Sequence, residues 1–115
     1  MPDRRKTKRK YLMFYTRVFD VQTGELLGHL VDLTPQGAML ISEHAVPAGA
    51  HFRLKMELSP EVATQPYVEF DARSLWCQQD VNPQFYNTGF NFLSIAPESI
   101  AIVERIVEAY GFRDN

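Results

Sequence analysis

The stretch FRLKMEL, residues 52–58, decides the fold class of this chain. Its apolar side chains occupy every second position, and charged side chains occupy the positions between them. That period of two is typical of a β-strand with one buried face and one solvated face. Residues 68–73 repeat the pattern, with Val68, Phe70 and Ala72 on the apolar side. The centre of the chain is therefore predicted to form β-sheet.

Three further strands are predicted on the N-terminal side of this centre. Residues 11–19 are rich in aromatic and β-branched side chains, and residues 26–31 follow a turn signal at Thr23-Gly24. A polar break at residues 32–37, DLTPQG, then separates this hairpin from a short apolar run at residues 38–42. Proline and glycine in such a break favour a connection between two strands.

On the C-terminal side, the strand that begins at residue 68 changes phase around Ser74, so that Trp76 falls in register with the earlier inward positions. A β-bulge would explain this slip. A last strand is predicted at residues 86–94, YNTGFNFLS. Six strands with short connections favour an antiparallel barrel, because closing a sheet removes its unpaired edges.

The final segment changes its hydrophobic period from two to that of a helix. Its apolar side chains recur at Ile100, Val103, Ile106 or Val107, and Tyr110. Pro97 and Glu98 suit a first helical turn, and Gly111 suits the position after the end. The predicted fold is therefore all-β with a C-terminal helix at about residues 97–110: a six-stranded antiparallel β-barrel followed by that helix.

Size and composition indicate one domain. The chain has 115 residues, of which 45% are hydrophobic, and this is enough apolar material for a core. No apolar run is long enough to span a bilayer, and the charged start does not resemble a secretory signal. The single cysteine, Cys77, is expected in the core. These features predict a cytoplasmic protein that is not inserted in a membrane.

The charges are divided unevenly along the chain. The first ten residues carry six basic residues and one acidic residue, a net charge of +5, so the remaining residues carry −7 of the total of −2. We expect residues 1–10 to form a flexible basic arm, and residues 11–112 to form the barrel with its helix. A concentrated basic run indicates a negatively charged partner.

Enzymatic chemistry has little support in the sequence. The three histidines, His29, His44 and His51, show neither an i,i+4 helical pair nor neighbouring cysteines, so no metal site is predicted. No nucleophile elbow, phosphate-binding loop or dinucleotide fingerprint occurs, and the carboxylates are scattered singly on strand faces. We expect no catalytic residue and no cofactor.

Two motifs together point to a family. Arg5-x-x-x-Arg9, with Arg4 directly before it, is followed 23 positions after Arg9 by Asp32-x-Thr34-x-x-Gly37. This combination resembles the signature of the PilZ domain family, and the resemblance covers the whole chain. It implies that an arginine-bearing arm and a (D/N)xSxxG turn on the barrel surface jointly bind the bacterial second messenger cyclic di-GMP. Thr34 departs from the usual serine but keeps the hydroxyl.

The residues themselves suit such a ligand, which is a dianion with two guanines. The arginines at positions 4, 5 and 9 offer paired donors to guanine O6 and N7, stack on purines, or pair with phosphate. Asp32 can accept hydrogen bonds from guanine, while Thr34 and the side-chain-free Gly37 permit close approach. Trp76 is either a stacking platform or a core aromatic.

The resulting prediction is a non-enzymatic cyclic di-GMP receptor that changes conformation and signals to a protein partner. One alternative is a nucleic-acid module, in which a small barrel with a basic arm grips RNA or single-stranded DNA. The acidic body and the lack of a surface strand with interleaved basic and aromatic residues argue against it, so no DNA or RNA partner is expected. The other alternative is an adaptor whose arm contacts a membrane surface or an acidic protein without any nucleotide.

Overall fold

The computed structural model describes residues 16–60 and 63–110. The predicted basic arm, with Arg4, Arg5 and Arg9, lies outside the described residues, as does the first part of the strand predicted at residues 11–19. Within the described part, six strands precede one helix. The elements are β1 Arg17–Asp20, β2 Leu26–Thr34, β3 Gly37–Ser42, β4 His51–Glu57, β5 Tyr67–Gln79, β6 Tyr86–Ser94 and α1 Pro97–Tyr110.

The six strands form a closed barrel in the order β1-β2-β3-β6-β5-β4, and every neighbouring pair is antiparallel. This confirms the predicted fold class. Alternate residues of β4 and β5 face the interior, because a strand directs successive side chains to opposite faces. The fully buried interior side chains include the apolar Val18, Leu30, Leu33, Leu54, Met56, Phe70 and Ala72.

The helix closes one opening of the barrel. Its apolar side chains Ile102, Val103, Ile106 and Val107 are buried in the same hydrophobic cluster as the barrel interior. It contacts β2 and β5. These strands lie on opposite sides of the barrel, because two strands separate them in each direction around the closed sheet. The C-terminal helix predicted from the period of the apolar residues is therefore confirmed, and its apolar stripe explains why it packs there.

The polar break predicted at residues 32–37 is a tight hairpin connection instead. β2 continues to Thr34 and β3 begins at Gly37, so only Pro35 and Gln36 lie between the two strands. Thr34 and Gly37 are paired across the ladder. The prediction of a longer break was wrong because polar side chains here occupy an outward strand face and do not mark a loop.

The β-bulge predicted near Ser74 is confirmed, since the register of β5 against β6 shifts between Ser74 and Trp76. Of the two roles that the sequence leaves open for Trp76, the core aromatic does not fit its exposure. Ser74 is fully buried, whereas 38% of Trp76 is exposed. The extra residue at the bulge is Leu75, and it turns Trp76 to the outer face of the barrel. Cys77 is the residue that next packs against the core, as expected for the cysteine.

Candidate functional site

A second bulge, in β2, positions the Asp32-x-Thr34 motif. Leu30 pairs with Leu40 and Asp32 pairs with Met39, so Val31 is an extra residue in β2. Strict alternation after Leu30 would direct Asp32 and Thr34 into the core. The bulge reverses the phase: the side chain of Leu33 is fully buried, and Asp32 is exposed. The motif therefore faces outward.

The two bulges place their outward residues on one continuous surface. Cross-strand pairing aligns two outward rows that each cross β2, β3, β6 and β5. The first row is Asp32, Met39, Gly89 and Trp76, and the second row is Thr34, Gly37, Asn91 and Arg73. Between them lies an inward row, Leu33, Ala38, Phe90 and Ser74, and all four of its side chains are buried. Residues more than 40 positions apart in sequence thus share one patch.

A shallow surface cavity of about 330 Å³, wide open to solvent, lies over this patch. Its lining includes Asp32, Thr34, Gly37, Trp76 and Asn91. The structure therefore brings together the three residues of the turn motif and the tryptophan around one concave site. A concave surface with a few convergent polar groups is the usual form of a small-molecule site.

Trp76 lies over the backbone of Gly89. A Cβ atom added to Gly89 would stand only 2.5 Å from both Nε1 and Cε2 of the indole. Any side chain at position 89 would therefore displace the ring from its place beside the cavity. With 38% of its surface exposed, the indole offers an aromatic surface to a ligand.

The hydroxyl of Thr34 holds the turn in shape. Its oxygen accepts hydrogen bonds from the backbone N–H groups of Gln36, at 3.2 Å, and Gly37, at 3.3 Å. Because the oxygen acts only as an acceptor in both bonds, the hydroxyl hydrogen stays available to donate. Asp32 accepts a hydrogen bond from the backbone of Leu33 at 2.9 Å, and its carboxylate is exposed at the cavity.

Gly37 is required by its close contact with a neighbouring strand and not by its backbone conformation. Positive φ occurs at Gly24 and Gly49 among the described residues, and not at Gly37. A Cβ atom on Gly37 would instead collide with the backbone carbonyl oxygen of Phe90 on β6. The strand β6 is held at this point by a hydrogen bond from the N–H of Phe92 to the carbonyl of Gln36, 2.8 Å long. The glycine therefore permits close approach of two strands.

The start of the described chain lies beside the site. The carbonyl of Thr16 accepts a hydrogen bond from the N–H of Leu30, 2.9 Å long, on the strand that carries Asp32. Arg9 precedes Thr16 by seven residues, and a chain of that length spans at most about 25 Å. The positions of Arg4, Arg5 and Arg9 themselves lie outside the described residues.

Sequence reasoning missed several residues of this surface: Met39, Leu75, Gly89, Asn91 and Arg73. Gly89 and Asn91 belong to a strand that was predicted correctly, but their position depends on which strand pairs with which. Only the register of β6 against β3 and β5 places them beside the motif. Their outward direction in the strand was the one signal available.

Two other features, a metal cluster and a membrane-spanning helix, are not found in residues 16–60 and 63–110. In these ranges, no group of three or more histidine, cysteine, aspartate or glutamate side chains is arranged to hold a metal ion. The same part of the chain contains no helix with the length and apolar character needed to cross a membrane.

Solved structures with the same fold include three bacterial proteins. The PilZ domain of YcgR from Escherichia coli, solved with c-di-GMP, has a TM-score of 0.62 and 19% identity, covering 86% of this chain and 82% of its own. The inhibitor of motility MotI/DgrA of Bacillus subtilis has a TM-score of 0.70 and 13% identity. The match covers 87% of this chain and 48% of the B. subtilis chain. The PlzA protein of Borreliella burgdorferi, in complex with c-di-GMP, has a TM-score of 0.54 and 13% identity. The match covers 100% of this chain and 59% of the PlzA chain.

At these identities the likeness establishes the fold. The chain spans about half the length of the B. subtilis and B. burgdorferi proteins. No curated protein is similar enough in sequence to count as a match. The family is established by the sequence itself, because residues 3–109 match the family model for the PilZ domain. Residues 3–109 include both the arginine motif and the turn motif, and the chain belongs to the PilZ domain family.

Proposed function

We propose that this protein is a non-enzymatic receptor for cyclic di-GMP, and that the nucleotide binds in the cavity beside the turn motif. One observation carries the proposal: two separate bulges turn Asp32, Thr34 and Trp76 to the same outward surface around one cavity. Membership of the PilZ family and the presence of c-di-GMP in the YcgR and PlzA structures support it.

Three residues at the cavity have roles that fit the ligand: Asp32 and Trp76 suit a guanine, and Thr34 suits a phosphate. The Watson–Crick edge of guanine carries N–H donors, and the exposed carboxylate of Asp32 accepts from them. The indole of Trp76 stacks on the purine ring, a contact worth about 1–3 kcal/mol per base in single-stranded nucleic-acid complexes. The free hydrogen of the Thr34 hydroxyl donates to a phosphate oxygen.

The basic arm supplies the charge that the barrel lacks. A dianionic ligand is repelled by a body of net charge −7, so cations must be brought to it. Arg4, Arg5 and Arg9 provide guanidinium groups that bind guanine edges or phosphates in bidentate fashion. In this proposal the arm folds across the cavity when the nucleotide arrives, and the changed surface binds or releases a protein partner in the cytoplasm.

A calorimetric titration of the purified protein with cyclic di-GMP tests the proposal, with GTP and a random oligonucleotide as controls. The expected result is saturable binding of cyclic di-GMP and much weaker binding of both controls. Equal binding of the oligonucleotide would instead identify a polyanion-binding module. Binding of none of the three would favour the adaptor, whose arm contacts a protein or a membrane surface.

A further inference from the structure

Arg73 lies on the same outward row as the turn motif, next to Asn91 of the cavity lining and just outside that lining. It pairs with Asn91, which pairs with Gly37, and Gly37 pairs with Thr34. Neighbouring strands are about 4.8 Å apart, so Arg73 stands roughly 10 Å from Gly37 across the sheet. Because Gly37 has no side chain, nothing at that position separates Thr34 from Asn91, which lines the cavity.

The charge of Arg73 is available, unlike that of other arginines on the barrel. Arg17 makes a bidentate pair with Glu57, at 2.6 and 2.9 Å, and this carboxylate raises the pKa of its guanidinium. Arg53 pairs with Glu69 and Asp71, each at 3.1 Å. Arg73 is exposed, and within residues 16–60 and 63–110 it has no carboxylate within 4.0 Å.

The nearest carboxylate along the strand is already engaged. Asp71 is two residues before Arg73 on the same face of β5, and it is contacted by both Arg53 and His51, at 3.1 and 3.4 Å. An exposed arginine with no ion pair among the described residues, next to a cavity lined by a carboxamide, is suited to bind an anionic ligand. The guanidinium fork matches two acceptors in one plane, as on a phosphate or on the O6/N7 edge of guanine.

On the basis of the proposed function, we propose that Arg73 is a further ligand-binding residue. It contacts the part of the nucleotide that extends over Gly37, away from Asp32, and Asn91 adds a donor and an acceptor between them. The site then has a cation on the barrel itself, in addition to those of the arm. The ligand is thereby held from both ends of the second outward row.

The test compares three variants with the parent by calorimetry with cyclic di-GMP. Arg73→Ala is expected to weaken binding about five- to hundred-fold. Arg53→Ala is the matched control: it removes the same charge from the neighbouring outward surface, but its guanidinium is already paired, so affinity is expected to change less than two-fold. Arg73→Lys distinguishes a phosphate from a guanine edge as the group that Arg73 contacts, because lysine keeps the charge and loses the planar pair of donors.

Each outcome has a definite meaning. Loss of binding in both Arg73 variants supports contact with a guanine edge, and loss in Arg73→Ala alone supports contact with a phosphate. If the parent binds cyclic di-GMP and Arg73→Ala binds it equally well, this inference is overturned and the proposed function is left intact. An equal loss in Arg53→Ala also overturns it, since the effect would then come from the general field. A parent that binds no cyclic di-GMP overturns the proposed function itself.

Discussion

At the scale of single residues, the site depends on what each side chain does for the fold as well as for a ligand. The oxygen of Thr34 accepts two backbone hydrogen bonds within its turn, and its methyl group plays no part in either. A serine would keep both bonds. The departure from the usual family serine is therefore compatible with the same turn geometry.

We predict that Thr34→Ser binds cyclic di-GMP at least as well as the parent, and that Thr34→Val loses both stability and affinity. Valine has the same shape but no acceptor, so two N–H groups of the turn lose their partner, at about 0.5–1.5 kcal/mol of stability per bond. Thermal melting measures this loss and calorimetry measures the affinity. A serine variant that binds ten-fold worse than the parent would remove Thr34 from the proposed role.

Gly37 and Gly89 differ in what an added side chain would meet, and we predict different effects of alanine at the two positions. An added Cβ at Gly37 meets the backbone of Phe90, which cannot move without disturbing the β3–β6 ladder, so Gly37→Ala is expected to lower the melting temperature. An added Cβ at Gly89 meets the half-exposed ring of Trp76, which can swing outward. Gly89→Ala is therefore expected to fold nearly as stably and to bind several-fold more weakly. Equal melting temperatures for the two variants would contradict this account.

At the scale of elements, the two bulges show where prediction from sequence reaches its limit. The phase slip near Ser74 was visible because a long alternation precedes it. The bulge at Val31 was not, because Leu30, Val31 and Leu33 are all apolar and fit either phase of the strand. Only pairing with β3 decides which of them is extra, and pairing is a property of two strands. The motif residues could be named from the sequence, but their outward direction could not.

The helix α1 gives the prediction at this scale. Ile106 is 1% exposed in the shared core and Glu108 is exposed on the opposite side. Ile106→Ala is expected to lower the free energy of unfolding by about 2–5 kcal/mol, because it leaves a cavity where the helix closes the barrel. Glu108→Ala is the control and is expected to stay within about 0.5 kcal/mol of the parent. Denaturant titration measures both values, and similar values would show that the helix is not part of the core.

At the scale of the whole molecule, the cavity and the concentrated positive charge belong to different parts of the chain. Residues 11–115 supply the shaped surface and a net charge of −7, and the first ten residues supply a net charge of +5. Composition predicts this division, since it requires only counting. It does not predict that Thr16, where the described chain begins, bonds to the strand that carries the motif.

The arm can therefore be tested by changing its chemistry at constant charge. Replacing Arg4, Arg5 and Arg9 together by lysine is expected to abolish binding, because planar bidentate contacts are lost while the charge is kept. Replacing Lys6, Lys8 and Lys10 by glutamine is expected to weaken binding mainly at low salt, where long-range attraction matters most. Calorimetry at two salt concentrations measures both effects.

Amide hydrogen exchange over residues 2–10 supplies a second readout. We expect protection there to rise when cyclic di-GMP is added, as folding of the arm over the ligand requires. Normal binding by the lysine variant, with no change in protection, would reduce the arm to a nonspecific polyanion contact.

The position of Trp76 has an optical consequence. It is the only tryptophan in the chain, and its ring lies at the cavity with 38% of its surface exposed. Light absorbed selectively by indole is therefore emitted from the proposed binding site and from nowhere else in the protein. A guanine stacked on that ring would alter the emission, so occupancy can be followed without any added label. The protein contains its own fluorescent reporter, and Arg53→Ala should leave its response unchanged.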